Sequence, residues 1–572
     1  MQSRTTLRGL ALAMSLLVLA VPGCARKSTP VAIADTIFIN GGIYTVDANR
    51  SWAEAAAVRD GRIVAVGRNE EILPLKGDPT RVVDLTGRMA LPGFHDSHVH
   101  VASTGLEQMQ CQIEYGLKTV EAVLDVVRAC AARTKDEWIV GSGWWYSLFD
   151  HRGPRKELLD EAVPGRAVVL ASIDLHSSWV SSRALELAGI NARTPDPEDG
   201  VIERDARTGE PSGTLHESAI DLVDAKAPAP SAEMRLEGLR RALQQLRQFG
   251  ITSFIEAEVL DADFDAFKTV AQNGELSAKV LLSLSYPSTG GGEDFDKLLA
   301  RQEELSIPRL KADSVKIFLD GVLEGETAAL LSPYLNRPGH SSSIQIPVAE
   351  LNAAVTRFDA MGLQVQMHAI GDAATRAALD AVEAARAKNG PSDHRHHIVH
   401  LQLIHPDDIP RFAALDVTGN FTALWAYPDD YIVKLNTPQV GIERVNRMYP
   451  IGSVLRAGGR IVGGSDWSVS TVNPLPSIEV ALTRQDPEGV GTGVLNASER
   501  VDLATMIAAY TIEGAWLMRQ EKDTGSIETG KAADIVVLER DLFKLAPAEI
   551  GEVRVDLTML DGEVLYERTD AP

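Results

Sequence analysis

Cysteine is scarce in this chain: three in 572 residues, Cys24, Cys111 and Cys130, with no Cys-x-x-Cys. Any metal must therefore be held by histidine, carboxylate or a less usual ligand. Positive charge is short as well. Lys and Arg number 56 against 79 Asp and Glu, a formal net charge of −23, which leaves nothing basic to hold nucleic acid. No apolar run is long enough to span a bilayer comfortably; the longest, Leu10 to Val21, is too short. Internal repeats, low-complexity tracts and collagen-like or coiled-coil patterns are absent too. What remains is an ordinary globular mixture, 45% hydrophobic and 24% charged, too long for one ordinary domain and with ample material for a large core.

The short apolar run follows Arg4 and Arg8 and ends in Val21-Pro22-Gly23-Cys24. A basic n-region, a short h-region and a small residue before cysteine read as an export signal rather than a membrane helix. The last four residues resemble a bacterial lipobox, cleaved before Cys24, which then carries lipid. Ala25 after it resembles an outer-membrane destination in a Gram-negative cell. The expectation is a lipoprotein signal peptide over 1–23, a tether over 24–33, and a chain exported to the cell envelope (periplasm or outer membrane) that meets the membrane only through its lipid. Ordinary secretory cleavage nearby and a retained anchor are the alternatives. In an oxidising compartment Cys111 and Cys130 either pair or stay as two buried thiols.

From 34 to 90 the chain is written in short β-branched runs punctuated by Asn40-Gly41, Asp60-Gly61 and Thr86-Gly87, the pattern of antiparallel hairpins. Residues 516–572 have the same texture, with Asp561-Gly562 as a turn, so both ends are expected to build one small β-sandwich. Between them, over 91–515, strands alternate with amphipathic helices. Candidate strands are 90–100, 251–257, 278–284, 314–319, 364–369, 397–401, 417–421 and 460–464. Eight parallel strands close a (β/α)8 TIM barrel. The gap of about 150 residues after the first is too long for one crossover and must hold an insertion, at about 105–235, beside the face where such barrels keep their active sites.

The first strand runs through Leu91-Pro92-Gly93-Phe94-His95-Asp96-Ser97-His98-Val99-His100. With a period of two, His98 and His100 project from one face, where two neutral imidazoles bind one ion without backbone strain. Further polar residues fall at the strand ends that converge on a barrel mouth: Lys316, His368, His400 and Asp466. Each has a plainer reading. Lys316 can reach solvent with its head, His400 can belong to a surface run with His394, His396 and His397, and Asp466 can cap a helix.

This ordered set resembles the amidohydrolase superfamily, and more closely its YtcJ-like subgroup, related to N-substituted formamide deformylases. The likeness spans nearly all of 34–545. Its motifs are Pro92 to His100, Leu175 to Leu185, Gly209 to Gly213, Val315 to Gly321, His368 to Asp372, His396 to His400, Gly464 to Asp466 and Gly525 to Lys531. The resemblance implies one or two divalent ions, zinc being the first expectation. His98 and His100 would hold the first and His368 and His400 the second, with Asp466 both a ligand and the base for the attacking water. It also implies that Lys316 is carboxylated and bridges the ions; the competing reading is one metal, with Lys316 only packing. Where the family writes Arg and Glu in the sixth-strand motif, this chain has His397 and Val399, on the face opposite His400 by strand parity. The seventh strand leads into Thr422-Ala-Leu-Trp-Ala-Tyr427 instead of the family's Gln-Pro-Ser-His type of sequence.

The implied reaction is attack of metal-activated water on the carbonyl of a small amide-type substrate, giving a carboxylic acid and an amine. His176 either hydrogen-bonds the carbonyl oxygen or packs. Glu217 is a further carboxylate, with a surface position as its plainer reading. Trp144, Trp145, Tyr146, Trp179, Trp425 and Trp467 fall in predicted loops near the mouth and suggest a hydrophobic or aryl substrate, core filling being the other reading. Ester or lactone cleavage at the same site, a binding lipoprotein without turnover, and a homo-oligomer are compatible with the same residues.

Overall fold

The computed structural model describes residues 33–569 other than 114–116, 118, 150–152, 198–199, 288–291, 490 and 492. The expected signal peptide, Cys24 and all but the last residue of the expected tether lie outside the described residues. Eight parallel strands form the central sheet, in the order Phe94–Val99, Ile251–Val259, Lys279–Tyr286, Leu310–Phe318, Gln364–Ala369, His397–His400, Thr418–Phe421 and Ile461–Gly463. They are called the first to eighth strands below. Nearly every position in them is buried, because helices cover the outside and side chains fill the inside. The eighth strand returns beside the first: Asp466 donates its N–H to the His98 carbonyl at 2.8 Å, and the Asn420 amide donates to the Ser97 carbonyl at 2.8 Å. The sheet is thus a nearly closed (β/α)8 barrel. Helices such as Asp261–Gln272 and Val348–Ala360 press Phe264, Phe267, Val355 and Phe358 against its outer face.

The stretch 90–100, expected as one strand, is two. Met89–Pro92 belongs to the terminal sandwich and Phe94–Val99 to the barrel. Gly93 makes the joint, since a Cβ there would meet Thr252 Oγ1 at 2.2 Å. The sandwich has one sheet of Arg62–Gly67, Ala55–Arg59, Thr36–Ile39 and Arg81–Asp84. Its other sheet, Glu563–Glu567, Val555–Leu560, Ile535–Leu538, Met89–Pro92, Gly42–Tyr44 and Trp52–Ala53, takes strands from both chain ends. Not all neighbours are hairpins: Thr36–Ile39 runs parallel to Arg81–Asp84, and Gly42–Tyr44 parallel to Met89–Pro92.

Between helices Val101–Glu107 and Ala232–Leu246 the insertion builds its own six-stranded sheet, ordered Gly200–Arg204, Pro211–Glu217, Ser177–Val180, Ala167–Ser172, Trp138–Trp144, Cys111–Gln112. A disulfide between Cys111 and Cys130 ties its edge strand to helix Val120–Arg133, which decides between the pair and the two free thiols.

Candidate metal centre

The first strand carries Asp96 and His98 on one side, and His100 follows its last residue as the cap of helix Val101–Glu107. The Asp96 carboxylate accepts the backbone N–H of His98 at 3.1 Å and of Ser465 at 3.0 Å, pinning the first strand to the segment after the eighth; burial pushes this acid up to about 7. His98 Nε2 lies 3.1 Å from Asp466 Oδ1, and His100 Nε2 lies 3.3 Å from the same oxygen. His98, His100 and Asp466 are the one group among the described residues that offers three donor atoms within 4.8 Å of one another, and all three residues are buried. Apart from this approach to Asp466, the buried Nε2 of His98 has no hydrogen-bond partner among the described residues, a nitrogen aimed at a shared point with a carboxylate and a second imidazole. That donor set suits a divalent cation.

His400 Nδ1 is 4.0 Å from Asp466 Oδ2 and 3.4 Å from Thr422 Oγ1. Its ring stands edge-on to His98, centroids 4.9 Å apart, and stacks on Trp425 at 5.4 Å and 8°. The His368 ring is 4.6 Å from His400, and its Nε2 is 3.3 Å from the Gly321 carbonyl oxygen. His368 and His400 therefore flank the three-donor group without joining it. Burial holds the His98, His368 and His400 imidazoles well below their ordinary pKa, reinforced by the Lys316 ammonium. Burial alone would raise Asp466, yet the surrounding imidazoles of His100, His400 and His98 keep its carboxylate well below the usual range. The result is neutral nitrogens around an ionised oxygen, the state in which these groups ligate.

Lys316 is fully buried, its Nζ without a hydrogen-bond partner among the described residues and 4.4 Å above the Phe318 ring. Burial brings its amine down to about 8, against the pull of Asp466 and Glu258. It does not snorkel to solvent.

The insertion reaches the mouth through His176, whose ring is 5.2 Å from His368. Its Nδ1 lies 2.9 Å from Glu217 Oε2; Glu217 also accepts from Thr327 Oγ1 at 2.7 Å and from the Gln345 amide at 3.3 Å. Burial opposes the imidazolium, but Glu217 holds His176 up to about 9. Glu217 is therefore no surface acid: strand Pro211–Glu217 lies beside Ser177–Val180 and turns its side chain under His176.

Three of the tryptophans are not at the mouth. Trp144, Trp145 and Trp179 sit with Tyr146 in the insertion's own core, where Trp144 Nε1 donates to the Leu170 carbonyl and Trp179 Nε1 to that of Arg155. Trp425, against His400, and Trp467, beside Asp466, are half-buried and remain at the mouth. His396 and His397 are not surface histidines either: His396 pairs with Asp359 at 3.0 Å, and His397 Nε2 lies 3.1 Å from Gln366 Oε1 inside the barrel. Strand parity fails at His400, whose φ of +74° breaks the alternation and lets both His397 and His400 serve the interior. Sequence reasoning passed over Gln366, although its place two residues before His368 sets it on the same inward face.

The Amidohydro_3 family model, described as the amidohydrolase family, matches residues 81–566. The chain is similar to the putative amidohydrolase YtcJ of Bacillus subtilis, 30% identical over 93% of this chain and 99% of that protein. It is also similar to the N-substituted formamide deformylase of Arthrobacter pascens, 28% identical over 94% of this chain and 99% of that one. Among solved structures, an uncharacterised metal-dependent hydrolase from Pyrococcus furiosus superposes with a TM-score of 0.67 at 25% identity, covering 88% of this chain and 99% of its own. With its barrel, its buried His-His-Asp group and a family match over most of its length, the chain belongs to the amidohydrolase family, hydrolases that act on carbon–nitrogen bonds.

Proposed function

We propose that this chain hydrolyses an amide-type bond in a small N-acyl substrate with a hydrophobic or aryl group, releasing a carboxylic acid and an amine. The observation that carries the reading is the Asp466 carboxylate, 3.1 Å from His98 Nε2 and 3.3 Å from His100 Nε2, faced from the insertion by a His176 that Glu217 keeps protonated. A bound divalent ion supplies polarisation of the acyl carbonyl and a water acidic enough to attack near neutral pH. His98, His100 and Asp466 would hold it, and zinc matches their donor types. Asp466 takes the proton of the attacking water and returns it to the leaving nitrogen. His176 donates a hydrogen bond to the acyl oxygen as negative charge develops there. Trp425 and Trp467 give the substrate its apolar wall. Full-length similarity to a deformylase of N-substituted formamides supports a small acyl group.

Lys316 deepens the site. Its buried amine, unpartnered among the described residues, suits attack on carbon dioxide with loss of a proton, and the resulting carbamate would join His368 and His400 in holding a second ion. The Cys111–Cys130 disulfide supports export to an oxidising compartment, with the chain lipid-anchored through Cys24.

Elemental mass spectrometry of the mature chain, purified with bicarbonate and without chelator, tests the site. Two ions per chain, falling in Lys316→Ala, and zinc-dependent hydrolysis of N-formyl and N-acyl arylamines are expected. One ion per chain would remove the carbamate. A protein that takes up no zinc, or a loaded one that cleaves no amide, would overturn the proposal.

A further inference from the structure

The neutral imidazole of His98 has two nitrogens and one proton. Nε2 faces Asp466 in the candidate centre, while Nδ1 lies 2.6 Å from the side-chain amide of Gln366. Gln366 is fully buried; its amide nitrogen is placed toward His98, and its oxygen, the other end, lies 3.1 Å from His397 Nε2 and 3.2 Å from Ser283 Oγ. It therefore joins side chains of the first, third and sixth strands just beneath the metal group.

Oxygen and nitrogen of a carboxamide fill nearly the same volume, so exchanging the two ends moves no neighbour. With the amide N–H toward His98, the ring must accept at Nδ1 and carry its proton on Nε2, where it points at Asp466 and leaves no lone pair for an ion. With the amide oxygen toward His98, Nδ1–H donates to it and Nε2 is free to ligate. The surroundings accommodate the second arrangement: when Ser283 gives its one hydroxyl proton to Ser314 Oγ, 2.9 Å away, it offers Gln366 only lone pairs, which the N–H end meets, and His397 accepts from that end at Nε2 with its own proton on Nδ1. What selects it is ligation of an ion by His98 Nε2.

We infer that Gln366 is a positioning residue whose amide oxygen accepts the Nδ1–H of His98 and so fixes the tautomer that presents Nε2 to the metal ion. The inference rests on His98 being a ligand through Nε2, as proposed above. Nothing in Gln366 touches substrate; it acts through His98. A hydrogen-bond acceptor behind a ligating histidine sets both ring orientation and basicity, and its removal typically weakens metal binding about 10–100-fold.

The test is zinc affinity, measured by competition with a chromophoric chelator, in wild type, Gln366→Met and Gln366→Glu, with thermal unfolding of each metal-free protein as the check on folding. Methionine keeps the volume and removes the acceptor, so zinc binding should weaken about 10–100-fold in a folded protein. Glutamate can only accept, so it should keep wild-type affinity or tighten it. Rescue by glutamate is a result that a merely structural role would not produce. Methionine binding zinc as tightly as wild type, or both variants weakening it alike, would overturn the inference. Should either variant fail to fold, nitrogen-15 spectra of histidine-labelled wild-type protein read the tautomer directly. A signal of the Nδ1–H form that disappears in His98→Gln supports the assignment, and an Nε2–H signal overturns it. Wild type that binds no zinc would overturn the metal reading itself.

Discussion

Replacing Lys279 with methionine should loosen the joint between barrel and sandwich while leaving the metal centre intact. Lys279 opens the third strand at the end opposite the histidines, and its Nζ lies 2.5 Å from Asp534 Oδ2, 3.1 Å from Asp561 Oδ1 and 3.7 Å from Asp523 Oδ2. Asp534 is the hub: its carbonyl accepts the Gly93 N–H, its Oδ1 accepts the Asp561 N–H, and its Oδ2 accepts the Thr524 hydroxyl. The Asp523 and Asp561 side chains are 47% and 34% exposed, so solvent screens them and each pair contributes at most about 1 kcal/mol. Asp534 is fully enclosed, and stripping the cation from such a pair costs about 3–5 kcal/mol. Its two surviving hydrogen bonds place the expected loss near the lower end, about 3 kcal/mol. Burial disfavours the Lys279 charge, but Asp534 and Asp561 hold the amine above its ordinary 10.5. This increment is therefore complete below pH 10.5 and disappears only as pH rises through the raised folded value, so wild type and variant should converge in strong alkali. Hydrogen exchange in Ile535–Leu538 and Val555–Leu560, together with denaturant unfolding, reads the loss. Adding Asp534→Asn should restore most of it, because the buried charge goes with its partner. A loss below about 1 kcal/mol, or a double variant no more stable than Lys279→Met, would refute the reasoning.

Asp466→Asn should lower kcat by about 10²–10⁴, the usual worth of a positioned acid–base group, and lower the bound metal as well; a rate within the scatter of wild type would remove Asp466 from the chemistry. Glu217→Gln should cost about tenfold or more in kcat/KM at neutral pH with the metal content unchanged, since only the charge behind His176 is lost; equal kinetics would assign the pair a packing role. Replacing Cys111 and Cys130 together by serine opens a bridge between residues 19 apart, worth about 3 kcal/mol by chain entropy, and should speed proteolytic cutting within the insertion while the barrel stays resistant.

The barrel is legible in the sequence because a parallel strand buried on both faces is written as a continuous apolar run, and a functional one ends in a polar residue at the mouth. Val315-Lys316-Ile317-Phe318 and Gln366-Met367-His368 are of that kind. The pairing of His98 with His100 is legible from a period of two. The insertion is not. Trp138–Trp144 contains Gly141 and Gly143, which read as loop punctuation and drew the neighbouring tryptophans into a predicted loop. Their cause is the closeness of the next strand: a Cβ on Gly141 would lie 2.0 Å from the Cys111 carbonyl oxygen, and one on Gly143 would lie 2.3 Å from that of Ile113.

Glu217 was hidden for another reason. It and His176 are separated by 41 residues, and only the antiparallel register of Ser177–Val180 with Pro211–Glu217 makes them neighbours. The same limit governs the strand ends. A left-handed residue announces itself when it is glycine; His400 at +74°, Asp466 at +54° and Glu217 at +49° do not, yet each departs from the local alternation at the point where its side chain meets the site. Holding three non-glycine residues in that region costs of order 1 kcal/mol or more apiece, and the barrel sustains it because the flanking strands are locked on both sides. Periodicity therefore locates the strands that carry the chemistry and fails at their last residues, where the backbone leaves its preferred conformation so that side chains from several strands face one point.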